Sequence, residues 1–196
     1  MLDLTGDFDR TRTLRGAVCG AVAGAIWALE QPLDKLLLSS PYDDVELLGK
    51  AVTRGEGWYP VGLVLHLLNS AAFGAAYANL APALPVPALV RGPTLAFAQH
   101  LAFWPLGAVS DRFHPARKEL PRFAGNRRAF VQSAWRHLLF GVVLGELERR
   151  LNAVPEPVPP EPEADYSSNG QGTLDHALPV TSSGWASGST GISGSA

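Results

Sequence analysis

The sequence predicts an all-α fold: an integral membrane four-helix bundle with a short interfacial helix after the first span and a disordered C-terminal tail. Three observations predict it. First, four apolar stretches lie within residues 16–151, and two of them run a membrane-spanning length without Asp, Glu, Lys or Arg. Second, small residues recur every four positions inside these stretches, as in Gly16-Gly20-Gly24 and Ser70-Gly74-Ala78. A glycine inside a helix costs ~1 kcal/mol against alanine in water. In lipid the same stripe lets helix backbones approach closely. Third, the mean hydropathy of +0.07 averages two different polymers. Residues 152–196 are rich in Pro, Gly and Ser and carry five acids but no Lys or Arg, so they cannot offset the entropy of ordering.

The elements follow in order. A segment of residues 1–15 precedes the first stretch, which runs from Gly16 to about Leu38 and is interrupted by Glu30-Gln31-Pro32 and Asp34-Lys35. Asp3, Asp7 and Asp9 balance Arg10, Arg12 and Arg15 ahead of the stretch, so a cleaved leader is not expected. Asp43 with Glu46 three residues on reads as a capping box. Val45, Leu48 and Val52 then share one apolar face, and Gly55 can end this short interfacial helix. Trp58 and Tyr59 mark the interface where the second stretch begins, and that stretch runs to about Leu84. Pro82, Pro85 and Pro87 make the turn into the third, Gly92–Ser110. A basic connection, Asp111–Arg128, leads to the fourth, Ala129–Gly145, which contains Arg136-His137.

The ionisable residues inside these stretches are the candidates for function. At 1.5 Å per residue, Glu30 lies ~21 Å in from Gly16, and His66 ~12 Å in from Trp58 on the opposite face. His100 and the Arg136-His137 pair come to similar levels, with Asn69, Gln99 and Gln132 nearby. Glu30, His66, Asn69, Gln99, His100, Arg136 and His137 therefore form a polar layer drawn from all four stretches. A charge at membrane depth costs at least ~2.5–3.5 kcal/mol and persists when paired. The layer admits two readings: Glu30 pairs with Arg136 and fixes helix register, or the histidines and carboxylate carry protons or hold a small solute. A metal site is not expected, because each of these histidines stands alone on its helix without a ligand at i+3 or i+4.

The connection DRFHPARKELPRFAGNRR supports an alternative. Asp111, His114 and Arg117 can form an acid–base and phosphate-binding group at the headgroup level, making the chain a membrane-embedded enzyme acting on lipid head groups. Against it stands the ordinary role of such arginines in anchoring helix ends to anionic lipid. No nucleotide-binding, nucleophile-elbow or zinc-protease signature occurs, so no cofactor is expected. Cys19 is the only cysteine, which excludes an internal disulfide. A net charge of −2 gives no bias toward nucleic acid. The expected partners are the lipid bilayer and, if the Gly16-Gly20-Gly24 stripe faces outward, a second copy of the chain. The expected location is the cell membrane, crossed several times.

The pattern Gly20-x-x-Ala23-Gly24 leading to Glu30-x-Pro32-Leu33 resembles the first span of the YagU family of bacterial inner-membrane proteins. The run from His66 through Phe73-Gly74 and Tyr77 to Pro82 is similar to that family's second span. His100 with Pro105-Leu106 resembles the third, and His137-Leu138 with Arg149-Arg150-Leu151 the fourth. The resemblance covers about residues 14–151. The gap from Ala23-Gly24 to Glu30 is shorter here and the first connection differs. The resemblance implies four membrane helices and no assigned reaction.

Overall fold

The computed structural model describes residues 9–153, and every regular element among them is helical. The predicted tail falls almost wholly outside these residues, as do the first eight residues of the leading segment.

Helix α1 spans Arg10–Leu38. It begins before the apolar stretch because Asp9 caps it: the Asp9 carboxylate accepts the N–H groups of Thr11 at 2.8 Å and Arg12 at 3.2 Å. It ends at Ser39, whose φ of 48° is left-handed, and it carries Pro32 in its interior. Helix α2, Asp44–Val52, starts where the capping pattern places it, with the Asp43 carboxylate accepting the N–H of Glu46 at 2.9 Å. Thr53, not Gly55, closes it.

Helix α3 spans Trp58–Leu80 and passes into a 3-10 turn at Ala81–Ala83. Helix α4, Ala88–Phe103, gives way to a 3-10 turn at Trp104–Leu106 and then to helix α5, Gly107–Phe113. The third apolar stretch is therefore not one uninterrupted helix. Pro105 has no N–H to donate, and its ring crowds the carbonyl four residues back, so the chain tightens there and re-forms beyond. Helix α6, Arg127–Leu151, is capped by Asn126, whose side chain accepts the N–H of Ala129 at 3.1 Å.

Helices α1 and α3 pack together, as do α4 and α6, α1 and α6, and α2 and α3. Glycine makes three of these contacts possible. A Cβ on Gly20 would stand 2.1 Å from the Ser70 carbonyl oxygen, and one on Gly92 would stand 2.0 Å from that of Gly141. A Cβ on Gly62 would stand 2.0 Å from the Val45 carbonyl oxygen, so α2 lies directly on α3. The Gly16-Gly20-Gly24 stripe is thus consumed by an intramolecular contact and is buried.

The interior encloses charged and polar side chains together with apolar ones: Asp34, Gln132, Ser133, Arg136, His66 and His100 are buried, as are Trp27, Tyr77, Phe140 and Leu144. The outward face of α1 carries Leu14, Val18, Val22, Ile26, Leu29 and Leu33. Among the described residues one helical stretch, Trp58–Ala83, is long and apolar enough to cross a membrane by length and composition, with a mean hydropathy of 1.4. Helix α4 stops at 16 residues because of the break at Trp104–Leu106, while α1 and α6 carry the buried ionisable groups inside them.

Candidate functional site

The buried face of α1 continues the glycine stripe at three- and four-residue steps through Gly24, Trp27, Gln31 and Asp34. Asp34 is thereby carried inward to α6, where Arg136 is fully buried. The Arg136 guanidinium forks onto Asp34: its Nη2 donates to Asp34 Oδ1 at 2.7 Å, and its Nε donates to Oδ2. Nη1 donates to Asp44 Oδ2 at 2.7 Å, and Nη2 also reaches the Tyr42 carbonyl at 3.1 Å. Bidentate geometry of this kind gives the strongest ion pairs a protein makes.

Asp44 has further donors. Trp27 Nε1 donates to its Oδ2 at 3.0 Å, and the Tyr42 hydroxyl donates to Oδ1. Gln132 Nε2 donates to Asp34 Oδ1 at 2.8 Å. Burial pushes the Tyr42 hydroxyl well above its ordinary value, so it stays a donor. Burial alone would raise the Asp44 carboxyl too, but the Arg136 guanidinium and the Tyr42 hydroxyl reverse this and hold it below its ordinary value. The cluster sets two carboxylates against one guanidinium, an excess of one negative charge beside the histidines.

The expected pairing of Glu30 with Arg136 is not what forms. Glu30 lies one step off the buried face, and its Oε1 accepts from Trp135 Nε1 at 2.8 Å on the outer side of α6. Asp34, one turn further on, occupies the inward position.

His66, His100 and His137 converge around Trp27 and Ser133. His66 and His137 both meet the Trp27 ring edge-on, at centroid distances of 5.4 and 4.7 Å. His66 Nε2 lies 3.0 Å from the Gly24 carbonyl oxygen across the α1–α3 contact. The rings of His100 and His137 are 5.0 Å apart. Ser133 Oγ stands between them, 3.2 Å from His100 Nδ1 and 3.4 Å from His137 Nδ1.

Two clefts flank this group. One, of about 230 Å³, is lined by His100, Trp104, Ser133 and His137 with apolar neighbours. The other, of about 150 Å³, is lined by Trp27, Asp44, His66, Asn69, Gln99 and His137. His137 lines both. The predicted layer residues are therefore brought to one region, with Glu30 half-buried at its edge against Trp135. Among the described residues no group of three or more His, Cys, Asp and Glu is arranged to hold a metal ion.

The residues of the headgroup-level candidate serve the chain's own backbone. Asp111 Oδ1 accepts the N–H of Phe123 at 2.9 Å, and Oδ2 that of Ala124 at 2.8 Å. Both His114 nitrogens are engaged: Nδ1 accepts the N–H of Ala116 at 3.0 Å, so Nε2 donates to the Leu47 carbonyl, also at 3.0 Å. Arg117 is exposed and makes no hydrogen bond to either. These side chains shape the 114–126 connection.

Sequence reasoning passed over Trp27, Asp34, Tyr42, Asp44 and Ser133. Extending the small-residue stripe by three- and four-residue steps reaches Trp27 and Asp34, so that signal was there to be read. Asp44 had none, since an acid in the first turn of a helix ordinarily answers the helix dipole. No family model, curated protein or solved structure matches the chain.

Proposed function

We propose that the chain is a four-helix integral membrane protein of the YagU type, located in the cell membrane, whose histidine layer passes protons or a small polar solute. The observation that carries the reading is that Arg136 and Asp34 are enclosed while the aliphatic side chains of α1 face out. Oil outside and charges inside is the arrangement a bilayer favours.

His137 is the mobile part of this scheme. Its Nδ1 donates to the Ser133 carbonyl at 2.7 Å, which leaves Nε2 as the atom able to take and release a proton. Because His137 lines both clefts, a proton taken up from one cleft can be released to the other. The cluster of Asp34, Asp44 and Arg136 holds α1, α2 and α6 in register while the ring titrates.

The test is acidification of an entrapped pH dye in liposomes reconstituted with the full chain. A pH gradient should dissipate faster than in empty vesicles, and His137→Phe should return the rate to the empty-vesicle level. Flux unchanged by His137→Phe, or no flux above empty vesicles, refutes the proposal.

A further inference from the structure

A further cleft, of about 190 Å³, lies at the end of the bundle where α1 begins and α6 finishes. Arg12 of α1, Arg91 of α4 and Arg149 of α6 line it, against Glu148 as the one acid among its lining residues. The three bases are not equally engaged. Arg12 Nη2 donates to Glu148 Oε1 at 2.8 Å, and Arg149 forks onto Glu146 with two bonds of 2.9 Å. Arg91 donates from Nε to the Val86 carbonyl at 3.0 Å and makes no ion pair among the described residues. That bond fixes the guanidinium while its two terminal nitrogens go without an acceptor. Arg91 also stands where a base is least expected. It lies in the first four residues of α4, a helix start with no side-chain cap and no acid in its first turn. A base there adds to the positive end of the helix dipole instead of offsetting it. Ala88, which opens α4, lines the same cleft.

Tyr77 of α3 supplies a further donor. Its side chain is 2% exposed and lines the cleft, and its hydroxyl makes no hydrogen bond among the described residues. The hydroxyl oxygen is not one of the fully enclosed unpaired atoms, so it reaches accessible space. It lies 3.3 Å from where a Cβ on Gly145 would stand, and Gly145 lines the cleft too. The charges acting on this hydroxyl are Glu148, Arg91 and Arg12, all in the cleft wall. A guanidinium fork, a phenol and a helix start therefore meet one space from three elements. Arginine forks match phosphate oxygens two at a time, and helix starts favour the same group. A carboxylate, with two oxygens, would leave part of this donor set unused.

We infer that this cleft binds a phosphate group, held by the Arg91 fork and the Tyr77 hydroxyl. The group can come from an anionic lipid headgroup or from free phosphate, and only the lipid source rests on the proposed bilayer placement. The histidine layer takes no part in it.

Thermal melts of the full chain in an uncharged detergent at low salt test this with inorganic phosphate, dihexanoyl phosphatidic acid and dihexanoylglycerol. A ligand of the folded state raises the midpoint as its concentration passes Kd. Inorganic phosphate and the phosphatidic acid should both raise it, and the uncharged dihexanoylglycerol should not. Arg91→Gln should weaken phosphate binding ~10-fold or more, as loss of a charge-assisted bond does, and Tyr77→Phe ~2–10-fold. Arg150→Gln removes the same charge from the same end, but Arg150 lies outside the cleft on Glu146 at 2.6 Å. It should change binding by no more than ~2-fold. Should Arg91→Gln fail to fold, the Tyr77→Phe value decides. A much lower Kd for the phosphatidic acid than for inorganic phosphate identifies the lipid as the source, and equal values identify the free ion. An equal response to dihexanoylglycerol, equal losses in Arg150→Gln and Arg91→Gln, or unchanged binding in Tyr77→Phe would each overturn the inference. So would no response to either phosphate compound, the result expected if acids of residues 152–196 fill the cleft. None of these readouts involves flux, so failure of the dye experiment leaves this one standing.

Discussion

Arg136 is enclosed on every side, and what it touches determines how much a substitution costs. Asp34→Asn removes the forked partner of Arg136 but leaves Asp44 to balance its charge, so the unfolding free energy in detergent should fall by ~1–3 kcal/mol, the cost of the lost charge-assisted bonds. Glu30→Gln should change stability by no more than ~0.5 kcal/mol, since a glutamine oxygen can still accept from Trp135. A costlier Glu30→Gln would show that the partner of Arg136 is misassigned. The two acids also show how far residue-level reading reaches. Chain position fixes depth along a helix to within a turn, and at that resolution Glu30 and Asp34 are equivalent. Which faces inward depends on rotation about the helix axis, and only the step pattern from Gly24 through Trp27 and Gln31 reports it. Asp44 belongs to another helix altogether, so its arrival at Arg136 depends on how α2 docks.

At the scale of the elements, backbone proximity sets the tolerances. Gly20→Ala and Gly92→Ala each place a methyl group about 2 Å from a carbonyl oxygen of the facing helix. Neither oxygen can rotate away, so each variant should lose ~1–3 kcal/mol or more. Gly57→Ala, with nothing within 4 Å, should be neutral, and thermal melts of the three compare them directly. The 114–126 connection is tied to α2 and its following turn by Glu119, which pairs with Lys50 at 3.0 Å and with Arg54. Hydrogen bonds from Arg54 and then Lys50 hold the Glu119 carboxyl below its ordinary 4.5. An acid depressed in the fold contributes stability above its unfolded value and loses it as pH falls through the folded one. Hydrogen exchange in residues 114–126, corrected for intrinsic rate, should accelerate as pH drops from about 5 toward 3. In Glu119→Gln it should already be fast at neutral pH. The helices, the Asp43 cap and the glycine contacts were legible in the sequence because caps and small-residue spacing act locally. The 3-10 turn at Trp104–Leu106 is equally local, yet the third stretch reads as one span to Ser110 straight across Pro105.

For the whole molecule the governing quantity is the solvent that surrounds it. Under the proposed placement the chain should remain with vesicles through a carbonate wash and need detergent to stay monodisperse. Release by carbonate as a monodisperse protein would remove the premise. Hydropathy averaged along each helix singles out only Trp58–Ala83, because the charges inside α1 and α6 lower their means. An average along the chain cannot tell an inward charge from an outward one.

The ring of contacts around Arg136 also has a direction in time. Ribosomes deliver Asp34 and Asp44 well before Arg136, so both acids are waiting when the base emerges. Until α6 arrives, Asp44 has Trp27 and Tyr42 as donors while Asp34 waits for the guanidinium that the last helix brings.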